Sequence, residues 1–378
     1  MTVTAAAPEL RIGPLTLPLP VVLAPMAGVT TSAYRRLCAE FGAGLYISEM
    51  VTARALVEGN SRTMRMVGFR PDEAVRSVQL YGVEPAVIGA AVRRLVDEIG
   101  VDHIDLNFGC PAPKVTRKGG GAALPFRRRL LAAVVRSAVR HAGPVPVTIK
   151  MRIGTDAIHR TSVQSGLIAE AEGAAAVTLH ARTAEQLYAG AADWSAIAEL
   201  KAAVESVPVL GNGDIWEAGD ALAMMAATGC DGVVIGRGCL GRPWLFADLA
   251  AVFGGKAPPP APVLGDVAAT VARHGRMLSE DHGEDLAVRE LRKHIGWYLT
   301  GFPVGPVARQ RLAQVSSLAD LDDLLAHLDP FLRQPEGSAT LPRGHLHGPR
   351  PVALPPGWLD DPDDPRPPRG ADAFVSGG

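Results

Sequence analysis

Short apolar runs rich in β-branched residues recur along the chain at Val21–Ala24, Gly44–Ser48, Ser77–Tyr81, His103–Leu106, Val145–Met151, Ala176–His180, Val207–Gly211 and Gly232–Gly236. Continuous apolar runs, without polar alternation, suit strands of a parallel sheet covered on both faces. Between them lie Ala/Leu/Arg-rich stretches with helical spacing, over Thr31–Glu40, Pro85–Ile99, Arg127–His141, Val163–Ala171, Trp194–Val204 and Glu217–Thr228. Alternating strand and helix units predict an α/β fold, and eight such strands favour a (β/α)8 TIM barrel over a doubly wound open sheet. Unusual residues follow nearly every run. In a barrel those positions face one rim, which would make Pro25, Gln79, Asn107, Lys150, His180, Asn212 and Gly236 neighbours despite their separation in sequence.

The pattern changes after Pro243. A proline-rich stretch, Lys256–Pro262, reads as a stiff linker. Beyond it, Val267–Leu332 has amphipathic helical spacing and no strand signal. The expected organisation is a barrel over 1–250, a linker over 251–264 and a small all-α domain over 265–333. Residues 334–378 hold ten Pro and seven Gly in 45 residues with almost no periodicity, and read as a disordered tail.

Composition narrows the function. The 38 Lys+Arg and 39 Asp+Glu among 378 residues leave a net charge of −1. That excludes a polybasic binder acting through a global field, but not a local basic face. Four cysteines (Cys38, Cys110, Cys230, Cys239) with no CxxC pair and no zinc spacing predict neither a disulfide framework nor a metal site, and point to a reducing cytoplasm. Gly13–Tyr34 carries no charge and is long enough to span a bilayer, but Pro14, Pro18, Pro20 and Pro25 would break such a helix. The first residues also lack the basic region of a signal peptide. A soluble, cytoplasmic, monomeric protein is expected.

The candidate chemistry sits on the strand ends. Asp105–Lys114, after the fourth strand, places Cys110 between Gly109 and Pro111 on the catalytic rim, where a thiol can act as nucleophile or proton donor. Glycine turns after the last two strands, Gly211–Ile215 and Gly236–Gly238, suit the phosphate of a mononucleotide such as FMN, with Arg237 adding a charged contact. Lys150 leaves an apolar strand and should meet an anionic group, such as a reduced isoalloxazine. Gln79 and His180 are polar strand tips of the same kind. Leu106–Arg129 carries Lys114, Arg117, Lys118, Arg127, Arg128 and Arg129 and no acid. Arg289, Arg292 and Lys293 lie at helical spacing near Trp297 and Tyr298. Basic side chains with aromatics nearby fit a nucleic-acid backbone with stacked or flipped bases, although a solvated helix face is the plainer reading of three charges on one helix.

Together these residues resemble a known family. Ala24–Thr30, Ser48-Glu49-Met50, Val78-Gln79-Leu80, Asp105–Lys114, Lys150-Met151-Arg152, His180–Thr183, Asn212–Ile215, and Gly236-Arg237 with Arg242-Pro243-Trp244 are similar in order to bacterial tRNA-dihydrouridine synthases, above all the B-type branch. The resemblance runs from about Arg11 to Leu332. It implies an FMN-binding barrel and a helical tRNA-binding domain. It also implies a reaction in which NADPH reduces FMN and the flavin then reduces the C5=C6 bond of a uridine in the tRNA D-loop. Hydride passes from flavin N5 to uracil C6, and Cys110 protonates C5. On this sequence the FMN contacts fall on Pro25, Met26, Ala27, Gln79, Lys150, His180, Asn212, Gly213, Asp214, Gly236 and Arg237. Asn107 would help hold the uracil, and Lys114, Arg117, Lys118, Arg289, Arg292 and Lys293 would meet the RNA. Ala181 and the glycine run at 119–121 depart from the usual pattern without removing a reactive group. Two other readings remain open: a flavin barrel acting on a small molecule, and a non-enzymatic tRNA-binding module.

Overall fold

The computed structural model describes residues 9–42, 44–344 and 348–371. Residues 1–8, where the absence of a signal peptide was read, and 345–347 and 372–378 of the expected tail lie outside the described residues. A hairpin of β1 (Leu10–Ile12) and β2 (Leu15–Leu17) comes first. Its Leu10, Ile12 and Leu17 pack with Val22, Leu45, Ala176, Leu210 and Val234 inside the sheet.

The sheet comprises β3 (Val21–Leu23), β4 (Leu45–Tyr46), β5 (Met50–Thr52), β6 (Ser77–Tyr81), β7 (His103–Phe108), β8 (Val147–Arg152), β9 (Ala176–His180), β10 (Val209–Asn212) and β11 (Gly232–Ile235). They pair in parallel in the order β4-β3-β11-β10-β9-β8-β7-β6-β5. The two edge strands are successive pieces of one stretch of chain. Between them, Ile47 N–H donates to Leu23 O at 3.4 Å and Ser48 N–H to Ser77 O at 3.1 Å, so the sheet closes on itself. All eight predicted strands are present, the second shortened to Leu45–Tyr46, and β5 follows it as a further strand that was not expected. β9 and β11 are buried throughout, as unbroken apolar runs demand.

The predicted helices form within one residue of their expected ends, the second finishing in a π turn at Leu95–Ile99. Helix Ser32–Ala39 starts where the Thr31 side chain accepts from Tyr34 N–H. Helix Arg128–Ala142 turns Leu130, Leu131, Val134, Val135, Ala138 and Ala142 inward, an i, i+4 stripe against the sheet. Helix Leu245–Phe253 runs into the range expected for the linker, which narrows to 254–263. Four helices follow: Leu264–His282, Glu284–Tyr298, Gly305–Ala313 and Leu318–Ala326. Among the described residues, no helix is long and apolar enough to cross a membrane, and no group of acidic, His and Cys side chains could hold a metal ion.

The tail reading requires correction. Residues 334–344 and 348–371 lie against the folded chain, with Trp358 4% and Arg343 1% exposed. Composition averages over a segment, whereas order here comes from a few anchors. Prolines also lower the entropy lost when such a segment is fixed. Trp358 is one anchor, and pairs of Arg127 with Asp364 at 3.2 Å and Arg128 with Asp363 at 2.7 Å are others.

The helical region docks on helix Ser32–Ala39. The buried Tyr34 ring lies 5.5 Å from the rings of both His274 and His294, and its hydroxyl donates to Cys239 O. Tyr298 Oη and His274 Nδ1 are 3.2 Å apart. Burial holds His274 down to about 3, and pushes His294 well below its ordinary value, so both rings are neutral. An unfolded histidine titrates near ~6.5. The unfolded chain therefore takes up protons first as pH falls. Stability is complete above that value and declines from about 6.5 towards 3. The thermal midpoint should drop between pH 7 and pH 5, and His274→Gln should flatten that slope. An equally steep slope in the variant would contradict the assignment.

Candidate functional site

The parallel register brings the polar strand ends to one rim. Asn107 is directly opposite Lys150, Arg152 opposite His180, and His180 opposite Asn212. Behind them a chain of buried hydrogen bonds crosses the barrel. Ser77 Oγ and His103 Nδ1 lie 2.7 Å apart, and His103 Nε2 and Thr148 Oγ1 3.0 Å apart. Thr148 Oγ1–H donates to Asp105 Oδ1 and Gln79 Nε2–H to Asp105 Oδ2, each at 2.6 Å. Asn107 Nδ2–H then donates to Gln79 Oε1 at 2.8 Å. Burial raises the Asp105 carboxyl to about 6, against the lowering effect of these donors and of Lys150.

Asn107 passes that order to the thiol loop. Its Oδ1 accepts from Gly109 N–H at 3.1 Å and Cys110 N–H at 2.8 Å. Gly109 O accepts from Arg152 Nε at 3.0 Å. Burial raises the Cys110 thiol above its ordinary value, opposed by Ala112 N–H and by the Arg152 and Lys114 charges. The thiol is therefore protonated near neutral pH, the state of a proton donor.

Beside this loop opens a cleft of about 540 Å³. Pro25, Met26, Lys150, His180, Asn212, Gly213, Asp214, Gly236 and Arg237 all reach it. Lys150 Nζ donates to Asn212 Oδ1 at 3.0 Å, and Asn212 Nδ2–H to Val234 O at 2.6 Å. Burial and the Arg152 charge bring Lys150 down to about 8. Burial, then the charges of Arg152, Lys150, Arg182 and Arg237, keeps His180 neutral. Against these cations the cleft lining offers one carboxylate, Asp214, whose oxygens accept from Arg182 Nη2 at 2.7 Å. The cleft is built for an anion.

Its glycine turns fit a phosphate. Among the described residues, the backbone N–H groups of Gly213, Gly236 and Arg237 have no protein acceptor. A Cβ on Gly236 would meet nothing nearer than 3.8 Å and would enter the space that such a group needs. The Arg237 guanidinium stacks 4.3 Å from the Tyr188 ring and 5.2 Å from that of Trp216.

The remaining expected residues are placed differently. Ala27 lies in the Met26–Thr30 turn, outside the cleft lining. Gln79 is 1% exposed within the hydrogen-bond chain rather than in the lining. Lys114 and Arg117 are exposed beside Cys110, with Lys118 half-buried. Arg292 Nε donates to Val315 O inside the helical region, and exposed Arg289 to Asp285 O of its own helix. Lys293 faces a groove of about 1280 Å³ between helices and barrel, with Glu49, Arg62, Arg65 and Arg70. Its ammonium approaches Gly28 of the cleft loop.

Sequence reasoning missed several site residues. Arg152 and Arg182 had a signal: each lies two residues beyond an expected site residue. In β8, the period of two puts Lys150 and Arg152 on one face. Tyr188, Trp216, Arg62 and Arg65 had none.

A model of the dihydrouridine synthase family matches residues 22–334. A probable tRNA-dihydrouridine synthase of Mycobacterium tuberculosis is 58% identical over 380 residues, 98% of this chain and 97% of that protein. One of Mycobacterium leprae is 55% identical, covering 94% and 100%. The tRNA-dihydrouridine synthase B of Pseudomonas aeruginosa is 40% identical over 331 residues, 87% and 98%. Among solved structures, a histamine dehydrogenase from Rhizobium sp. 4-9 superposes with a TM-score of 0.53 at 12% identity, over 86% of this chain and 65% of that one. At that identity the likeness concerns the fold alone.

The Asp214–Arg182 pair generates a stability test. Arg182 is 2% exposed, so Asp214→Ala would leave a buried cation without its counter-ion. The partly exposed carboxylate places the cost at the low end of the range for breaking buried pairs, about 3 kcal/mol. Calorimetric unfolding of the variant checks it, and a loss below about 1 kcal/mol would contradict the buried-pair reading.

Proposed function

The chain belongs to the dihydrouridine synthase family, and from that premise we propose that it reduces specific uridines of the tRNA D-loop to 5,6-dihydrouridine with FMN and NADPH. One observation carries this reading. A protonated, half-buried thiol stands on the same rim as an anion-seeking cleft, joined to it by the Asn107–Lys150 register.

In this reading the N–H groups of Gly213, Gly236 and Arg237, with the Arg237 guanidinium, hold the FMN phosphate. Pro25 and Met26 line its edge. Lys150, on the cleft wall, would serve as counter-ion to negative charge on a reduced flavin. Neutral His180 offers a hydrogen bond without adding another cation. When bound, FMN would supply the reducing chemistry, with NADPH as its source of electrons. Cys110 holds the proton destined for C5 and returns to the thiol from solvent. A thiol donates near neutral pH far more readily than a serine hydroxyl.

A uracil reaches that position only if flipped out of its loop, which suits single-stranded RNA recognised by shape and backbone. Lys114, Arg117 and Lys118 meet the backbone beside the thiol, and Lys293 with Arg62 and Arg65 meets it in the groove. Asn107 serves the uracil indirectly, because its amide is engaged in shaping the Cys110 turn.

Cys110→Ala should retain stoichiometric FMN and normal reduction by NADPH while slowing uridine reduction by roughly 10²–10⁴-fold. Dihydrouridine mapping in tRNA from a deletion strain complemented with this variant reads the outcome, and normal modification would reject the role of Cys110. Gly236→Val should instead yield a folded, colourless protein, since its side chain occupies the phosphate space. Unchanged flavin content would refute the cradle. Reoxidation of the reduced flavin that tRNA fails to accelerate would favour a small-molecule substrate.

A further inference from the structure

The C-terminal segment crosses loops that frame the site. Arg350 N–H donates to Glu185 O at 2.8 Å, in the loop carrying Tyr188. Further on, the Trp358 indole Nε1–H donates to Ala123 O at 2.9 Å, and Arg127 lies over its ring at 4.7 Å. Arg127 also donates to Gly357 O at 2.9 Å, and Arg128 N–H to Pro362 O at 2.7 Å. With the Asp363 and Asp364 ion pairs, these contacts clamp the 3-10 turn Gly121–Phe126 from outside.

That turn is the outer seat of the thiol loop. Ala122 N–H donates to Cys110 O at 3.0 Å. Gly121, at φ 55°, approaches so closely that a Cβ would sit 2.4 Å from the same oxygen. Cys110 is thus held on one side by Asn107 and on the other by a turn that Trp358 fastens.

We propose that Trp358 is a positioning residue for Cys110, acting through Ala123 and Ala122, so that the C-terminal segment belongs to the frame of the reacting site. The consequence for turnover rests on the reading of Cys110 as proton donor; the positioning itself does not. The alternative is that Asp363 and Asp364 occupy Arg127 and Arg128 in competition with RNA phosphates.

Alkylation by iodoacetamide separates these cases, because Cys38, Cys230 and Cys239 are buried and Cys110 is the more accessible thiol. Full-length Trp358→Ala, Trp358→Phe and a Cys110→Ser blank are compared, with bound-flavin absorbance and thermal midpoint reporting that each is folded. Losing one hydrogen bond and one cation–π contact should raise the alkylation rate about tenfold in Trp358→Ala. Trp358→Phe keeps a ring over Arg127 and should fall between. Single-turnover uridine reduction should slow by a similar factor, with KM for tRNA and flavin reduction by NADPH unchanged. Unaltered alkylation in both variants overturns the proposal. A lower KM for tRNA with an unchanged kcat also overturns it, in favour of competition. Faster alkylation with intact turnover retains the positioning and removes Cys110 from the chemistry.

Discussion

The site depends on one buried carboxylate. Asp105 is 1% exposed and accepts from Thr148 and Gln79, and Gln79 in turn accepts from Asn107. An ionised acid in the interior is costly unless its oxygens are satisfied, so these neighbours have little freedom. Asn107, at the outer end of the chain, accepts from Cys110 N–H. The conformation of the half-buried Cys110 loop is therefore specified from inside the barrel, where side chains cannot reorient without leaving a partner unpaired. The parallel register does the rest, setting Asn107 beside Lys150 and Arg152 beside His180.

The same burial separates the roles of neighbouring groups. Burial first, and then four cations, Arg152, Lys150, Arg182 and Arg237, keep His180 neutral. The Cys110 thiol is raised by desolvation although Arg152 and Lys114 pull it down. Desolvation wins over attraction there, and the cysteine keeps its proton. A more solvated loop beside the same cations would favour thiolate and hence nucleophilic chemistry. Loop placement, more than residue identity, decides between acid and nucleophile.

The barrel was legible because its signals are local and repeated. Unbroken apolar runs at Ala176–His180 and Gly232–Gly236 can bury both faces only in a covered parallel sheet, and the rim rule then collected Lys150, His180, Asn212 and Gly236. The second run was read only as Gly44–Ser48 and the strand Met50–Thr52 was left out, because the break at Ile47–Glu49 follows from changing partners across the closure. Gln79 and Asn107 were read as rim neighbours, but that their amides bond each other, with Gln79 buried behind the cleft, depends on cross-strand geometry that periodicity does not encode. Arg292 looked like Lys293 in sequence, yet helix rotation turns one onto Val315 and the other into the groove. The tail was misread because disorder was judged from average composition, while Trp358 and two aspartates supply the order.

A chain of net charge −1 can still present a strongly cationic face to a polyanion, because the charges are sorted by partner. Arg127 and Arg128 are matched by tail aspartates, and Arg273 by Glu40, so these pairs add little to the outer field. Lys150, Arg182 and Arg237 lie in a partly desolvated cleft, where each charge acts more strongly on a bound anion than it would in water. Exposed lysines around the thiol and the groove act through solvent and are screened by salt. Affinity for RNA backbone and affinity for a cofactor phosphate should therefore respond differently to ionic strength. Within a nearly neutral molecule, the two sets of cations thus occupy unequal dielectric settings.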